Sequence, residues 1–169
     1  MKYIKSYEEF ERLNKALHSD GAFLVVKDKK GKVNVMTIGW AMIGVVWGKP
    51  MMTVFVRPAR YTHELIENAV SFSVCVPNTG KMKEELAFCG TSSGKMVDKI
   101  KQCGLSLVQG KHKDNVLIDD CKLFYECEIV EKTKMLPETL SHEITEEFYP
   151  KKDFHSIYFG EIKHCYIRE

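Results

Sequence analysis

The strongest constraint on this chain is a series of short apolar runs, each about one strand long, joined by turns without regular helical alternation. Residues 22–26, 33–38, 51–56, 71–76, 123–130 and 155–162 are rich in β-branched, aromatic or long apolar side chains. Asp28-Lys29-Lys30-Gly31-Lys32 reads as the polar turn of a hairpin, and Gly48-Lys49-Pro50 as a turn before the run at 51–56. Strands return after Leu105. A parallel sheet needs a crossover helix between successive strands, and that alternation is missing. Helical patterns are few. Residues 6–17 carry Phe10, Leu13 and Leu17 on one stripe, with Ser6 and Glu9 at capping-box spacing. Shorter helices are expected at 64–69, 81–88 and 95–102. The polar, acidic stretch 141–152 reads as a loop or a peripheral helix. The expected fold is mainly β (α+β): an antiparallel barrel with peripheral helices in a single domain over 1–169, with an N-terminal helix within 1–20 and a peripheral loop or helix at 140–153.

With 169 residues, 44% of them hydrophobic, the chain is long enough to bury a core without disulfides. Its six cysteines are scattered and form no CxxC pair, and residues 1–9 are charged with no apolar signal core. Free thiols in a reducing, cytoplasmic setting are the expectation. The longest apolar stretch, residues 38–47, is about half of what a bilayer requires, so no membrane association is expected. The formal charge is +2, and the 25 basic residues are spread along the chain, which argues against nucleic acid as a partner.

Metal and nucleophile signatures are missing. There is no HExxH and no zinc-type pairing of Cys or His, so no metal site is expected. There is no GxSxG elbow. Cys89 precedes Gly90-Thr91-Ser92-Ser93-Gly94-Lys95. A thiol just before a helix start could have a lowered pKa, but a plain half-buried cysteine beside a turn is the favoured reading of the sequence.

Three segments suggest a ligand. In residues 89–95, the hydroxyls of Thr91, Ser92 and Ser93, the glycines Gly90 and Gly94, and Lys95 opening a helix form an anion-binding combination, though Ser/Gly clusters are mostly ordinary loops. In Arg57-Pro58-Ala59-Arg60-Tyr61-Thr62, two guanidinium groups stand beside a helix that Thr62 could cap. The alternative is a basic solvated turn. In Asn34-Val35-Met36-Thr37-Ile38-Gly39-Trp40, a strand end with a glycine and a large flat side chain could carry a flat heterocycle, or be core with a bulge. Together they suit an aromatic ring system bearing one phosphate.

The stretches 34–40 and 50–62, followed by Phe72-Ser73-Val74, Cys89–Lys95, Asp98-Lys99 and His155-Ser156-Ile157-Tyr158-Phe159-Gly160-Glu161-Ile162, resemble the flavin-reductase-like, flavoredoxin-type FMN-binding split barrels. The resemblance spans about residues 23–162 in the family's order. It implies a six-stranded Greek-key split barrel, a homodimer, and FMN near the dimer interface. It places Asn34, Met36, Thr37, Ile38, Gly39 and Trp40 along the flavin ring. Arg57, Arg60, Tyr61 and Thr62 would hold the phosphate and ribityl chain, and Cys89, Gly90, Thr91, Ser93, Gly94 and Lys95 would complete the pocket. His155 would lie near the flavin or an incoming nicotinamide. Residues 140–152 carry no family motif and are where substrate preference would be set.

Under that resemblance the cofactor supplies the redox chemistry, and a missing triad is no objection. The expected function is an FMN oxidoreductase, a flavin reductase using NADH or NADPH. A carrier that passes electrons to a redox protein partner is the alternative, and a ligand-sensing or storage barrel is the third.

Overall fold

The computed structural model describes residues 1–169. Its strands are β1 (Lys2–Tyr3), β2 (Ala22–Lys27), β3 (Val33–Ile38), β4 (Ala41–Val46), β5 (Lys49–Val56), β6 (Ser71–Val76), β7 (Leu107–Gln109), β8 (Val116–Ile118), β9 (Leu123–Lys134) and β10 (Ser156–Ile167). Its helices are α1 (Phe10–His18), α2 (Tyr61–Glu67), α3 (Lys83–Thr91), α4 (Lys99–Gln102) and α5 (His142–Phe148). The main sheet is antiparallel, in the order β3-β2-β6-β9-β10-β5-β4, with β1 pairing the end of β10; β7 and β8 form a separate hairpin. The antiparallel split-barrel class expected from the sequence is therefore the observed one, with eight strands in the main sheet where the resemblance implied six.

The two ends of this path, β3 and β4, are consecutive in the chain and joined by Gly39 and Trp40 alone. A sheet whose first and last strands are two residues apart must curl round on itself. The unpaired gap between them is the seam of the barrel.

Strand alternation divides the core. Along β2, Ala22, Leu24 and Val26 face a larger cluster with Met52, Val54, Phe72, Val74, Tyr125 and Tyr158, while Phe23 and Val25 face a smaller one with Val35, Cys75, Leu86, Cys89 and Phe124. The larger cluster fills the barrel. The smaller one lies between the sheet and the layer formed by α3 and the β7–β8 hairpin. Strands covered on both faces read as continuous apolar runs, which is why β2 and β6 stood out in the sequence.

Several local expectations change. The apolar run at 38–47 contains a whole strand, β4, which the sequence reading passed over, and Lys49 and Pro50 belong to β5 instead of a turn. The turn is Trp47-Gly48, with φ of 54° and 68°, closing a hairpin in which Val46 pairs with Lys49. Positive φ at both central residues matches the right-handed twist of the flanking strands. The helix expected from residue 6 begins at Phe10 with no side-chain cap, so the Ser6–Glu9 box is not formed; Lys2–Tyr3 ahead of it is a strand on β10. No helix is long and apolar enough to cross a membrane.

Gly160 lies where β10 shifts register against β9. A Cβ there would come within 2.7 Å of both Cys127 Cβ and the Phe72 ring, all inside the sheet. Gly160→Ala is expected to lower stability by about 1–3 kcal/mol through overpacking. The check is the urea unfolding midpoint at unchanged m-value.

Candidate functional site

The seam opens into a cleft of about 240 Å³. Its walls come from the end of β3 (Met36, Thr37, Ile38), the link Gly39–Trp40, Phe55 and Arg57 at the end of β5, Arg60, Gly90 of α3, and His155 ahead of β10. An adjoining pocket of about 230 Å³ is lined by Ala59, Arg60, Tyr61, Thr62, Thr91, Ser92, Ser93, Gly94 and Lys99. Arg60 borders both.

The cleft floor is set by α3 packing on β3. Thr37 Oγ1 donates to the Leu86 carbonyl at 2.6 Å, and a Cβ on Gly90 would stand 3.4 Å from Thr37 Cβ. Beneath the pocket, the buried Asn34 donates from Nδ2 to Thr62 Oγ1 at 2.8 Å. A Cβ on Gly94 would meet Asn34 Oδ1 at 2.2 Å, so only glycine lets the 92–94 turn come down onto this pair. Thr62 therefore sits inside the first turn of α2 and does not cap it; Arg60 is the N-cap residue.

Arg60 and Lys99 define the charge of the pocket. Arg60 Nη2 donates to the Gly90 carbonyl, and to that of Cys89 at 3.5 Å. Lys99 is buried and donates from Nζ to the Cys89 carbonyl at 3.1 Å. Neither has a carboxylate partner. Burial lowers the pKa of both, and Arg60 lowers that of Lys99 further. One half-buried and one buried cation that repel each other, lining a pocket with Ser92 and Ser93, form a donor set lacking a counter-charge. An oxyanion such as a phosphate supplies that counter-charge.

The remaining expected residues are placed differently. Arg57 borders the cleft but turns away from the pocket: Nη1 pairs with Asp153 at 2.7 Å, Nη2 donates to the Phe148 carbonyl at 2.8 Å, and the guanidinium lies 4.9 Å from the centre of the Tyr149 ring. Its charge is already met by Asp153. Lys95 opens no helix, because α4 begins at Lys99 behind an Asp98 cap. Its ammonium is paired with Glu64 and exposed. Cys89 does not precede a helix start but lies in the last turn of α3. Its thiol is buried and pushed up to about 12 by that burial, the reverse of an activated nucleophile. Tyr61 is half-buried beneath Lys32 and Lys95. The sequence reading gives no role to Lys99 or Phe55, although Lys99 lies inside the Asp98-Lys99 motif; Phe55 is signalled only by strand alternation. Ser92, expected as a hydroxyl donor, lines the pocket.

His155 closes the far side of the cleft. Its ring centre is 4.7 Å from that of Trp40, and Tyr149 Oη lies 2.7 Å from its Nδ1. Burial pushes its pKa down to about 4, with Arg57 adding to the shift and Asp153 opposing it, so the ring is neutral at pH 7. Phe148 of α5 rests on Trp40 at 5.5 Å between ring centres.

A barrel split at a two-residue seam thus presents a flat-walled cleft that adjoins a cationic pocket. The family model of the flavin reductase like domain matches residues 16–169, and the chain belongs to that family. An uncharacterized protein of Archaeoglobus fulgidus is 31% identical over 109 residues, covering 64% of this chain and 60% of that relative. The match thus spans less than two thirds of the relative's length. Among solved structures, the chain is similar to a flavoredoxin of Methanosarcina acetivorans, with 31% identity, a TM-score of 0.69, and coverage of 88% of this chain and 68% of the other. It shares its fold with an FMN-binding protein of Thermus thermophilus at 22% identity and a TM-score of 0.67, covering 88% and 71% of the two chains.

His155 gives a pH test. The folded protein takes up its proton only near pH 4, whereas the unfolded chain does so near 6.5. Between these values the unfolded chain binds more protons, so stability falls as pH drops, by at most about 1.4 kcal/mol per pH unit from this group. Urea midpoints of wild type and His155→Gln, compared from pH 7 to 4, should converge on acidification as the wild type alone loses this contribution.

Proposed function

We propose that this chain binds FMN, with the ring in the seam cleft and the phosphate in the adjoining pocket. It then acts as an oxidoreductase, taking reducing equivalents from NADH or NADPH and passing them to free flavin or another acceptor. The observation that carries this reading is the pair of adjoining spaces that share Arg60, one walled by flat and apolar groups, the other by two unpaired cations and hydroxyls. The family's name and the likeness to a flavoredoxin support the choice of flavin.

Bound flavin supplies hydride acceptance at N5 and onward transfer of one or two electrons, so the protein needs no nucleophile of its own. In this reading Arg60 and Lys99 neutralise the phosphate, with Ser92 and Ser93 donating to it, while the Thr91 hydroxyl stays bonded to the Ala87 carbonyl at 2.9 Å. Thr62 and Asn34 brace the floor, and Gly94 keeps the turn close. Met36, Thr37, Ile38 and Gly39 present a strand edge whose main-chain groups hydrogen-bond the ring. Trp40 covers one side. The neutral His155, oriented by Tyr149, adds no positive charge to the cleft. Arg57 serves to hold residues 148–153 beside the site.

A carrier reading is favoured by one observation: the end of α5 packs beside the cleft, with Phe148 edge-on to Trp40 and the Arg57–Asp153 pair holding the segment that follows, which would crowd an incoming nicotinamide. We also assign the exposed apolar side chains of the β4–β5 hairpin, Met42, Val45, Val46 and Trp47, to contact with a second copy of the chain beside the cleft.

Two experiments check the assignment. In Arg60→Ala and Lys99→Met, FMN affinity should fall more than about tenfold while riboflavin affinity hardly changes, because charge-assisted hydrogen bonds contribute roughly 1.5–3 kcal/mol each. Equal losses for both flavins would reject the phosphate assignment. Separately, the FMN-loaded protein is mixed anaerobically with NADH or NADPH. Bleaching within seconds and turnover with excess FMN mean a reductase, while a spectrum that stays oxidised means a carrier supplied by a protein donor.

A further inference from the structure

Three residues behind the cleft are tied into one closed set. Tyr149 Oη lies 2.7 Å from Nδ1 of His155 and donates to Met135 Sδ at 2.9 Å, while the Met135 N–H donates to the His155 carbonyl at 3.0 Å. Tyr149 is 1% exposed, and its ring packs against the Arg57 guanidinium at 4.9 Å and the Phe154 ring at 4.8 Å. A thioether has no proton to give, so the contact with Met135 is attractive only when the hydroxyl proton points at sulfur. The Tyr149 oxygen is then the acceptor toward His155, and Nδ1 is the donor. With the hydroxyl turned to Nδ1 instead, the lone pairs of oxygen and sulfur would face each other at 2.9 Å.

A neutral imidazole holds one proton, so an Nδ1–H ring carries a bare lone pair on Nε2. His155 lines the seam cleft, and its Nε2 has no protein partner and is not sealed from solvent. The titratable groups facing the ring are Tyr149, Arg57 and Asp153, and the last two pair with each other at 2.7 Å. Burial keeps the imidazole neutral and the Tyr149 phenol protonated at pH 7. Neither the neutral ring nor the paired Arg57 therefore offers a free positive charge beside Nε2.

We propose that Met135 and Tyr149 are positioning residues that hold His155 as its Nδ1–H tautomer, and that the bare Nε2 selects a flat ring bearing a primary carboxamide, the edge group of a nicotinamide, over the corresponding carboxylic acid. The ligand half rests on the oxidoreductase reading above. An amide N–H donates to Nε2, whereas a carboxylate presents only lone pairs to it and gives up water without gaining a partner. Trp40, with its ring centre 4.7 Å from that of His155, provides a flat wall beside this acceptor.

The experiment records proton–nitrogen correlation spectra of the histidine rings in the flavin-free protein at pH 7, with His155→Gln identifying the signals. The expected ring has a pyrrole-type Nδ1 and a pyridine-type Nε2. Met135→Leu keeps an apolar side chain but frees the hydroxyl proton to turn to Nδ1, so the two nitrogen types should exchange. Tyr149→Phe, which takes the acceptor away from Nδ1, should give the same exchange. A pyrrole-type Nε2 in the wild type would overturn the tautomer, and a spectrum unmoved in Met135→Leu would reduce that residue to packing. Binding of NAD⁺ and NADP⁺ to the FMN-loaded protein is then compared with that of their nicotinic acid analogues. The amides should bind at least about fivefold more tightly, the scale of one hydrogen bond, and lose that advantage in Met135→Leu. Equal binding of amide and acid, or binding of neither, would overturn the ligand assignment. If FMN itself does not bind, the flavin reading fails, while the spectrum of the flavin-free protein still decides the tautomer.

Discussion

The link Gly39–Trp40 controls much of this molecule, because it joins strands that lie at opposite ends of one hydrogen-bonded path. Two residues cannot carry the chain to a distant edge, so the path must close into a barrel, yet β3 and β4 do not pair across the link. Main-chain groups at the end of β3 are thereby left free beside a gap, where an ordinary sheet would satisfy them with the next strand. A ligand edge that hydrogen-bonds to backbone can take that place without any special side chain. The cleft is thus a consequence of barrel closure, and the residues around it refine a space the topology already provides.

Charge then separates residues that look alike. Arg57 and Arg60 stand three apart in one basic turn, but Asp153 neutralises the first, and only main-chain carbonyls meet the second. Lys95 and Lys99 divide in the same way. Lys95 is exposed and paired with Glu64, whereas Lys99 is buried and donates to a carbonyl. Burying two like charges near each other is costly unless an opposite charge joins them. The unbalanced member of each pair marks the pocket.

This division explains what could be read from the sequence. Strands covered on both faces, such as β2 and β6, were plain as apolar runs. The strand β4 was not, because Met42, Val45, Val46 and Trp47 are apolar yet exposed, and the run shows no apolar–polar alternation. The segments around 34–40, 57–62 and 89–95 do converge on one region of the fold, so their neighbourhood was legible. The assignment of cations within it was not, because local sequence gives no sign that Asp153 or Glu64 returns to pair with Arg57 or Lys95. Cys89 misled for a related reason: a Gly-Thr-Ser-Ser-Gly run reads as a loop, but α3 continues through Thr91 because Gly90 packs against Thr37.

The segment 142–153 shows how a shared barrel can be given its own preference without touching the pocket. Phe148, Tyr149 and Asp153 reach the cleft region through Trp40, His155 and Arg57, while the glutamates of α5 remain in solvent. The contacts that fix the segment are therefore few and lie on one side. Tyr149 links them: its ring lies under Arg57 and its hydroxyl meets Nδ1 of His155. The same hydroxyl also donates to Met135 Sδ at 2.9 Å, so a neutral His155 that carries its proton on Nδ1 can donate to Tyr149 Oη. The segment thus holds His155 and Trp40, two rings that line the cleft, while Arg60 and Lys99 make their contacts elsewhere.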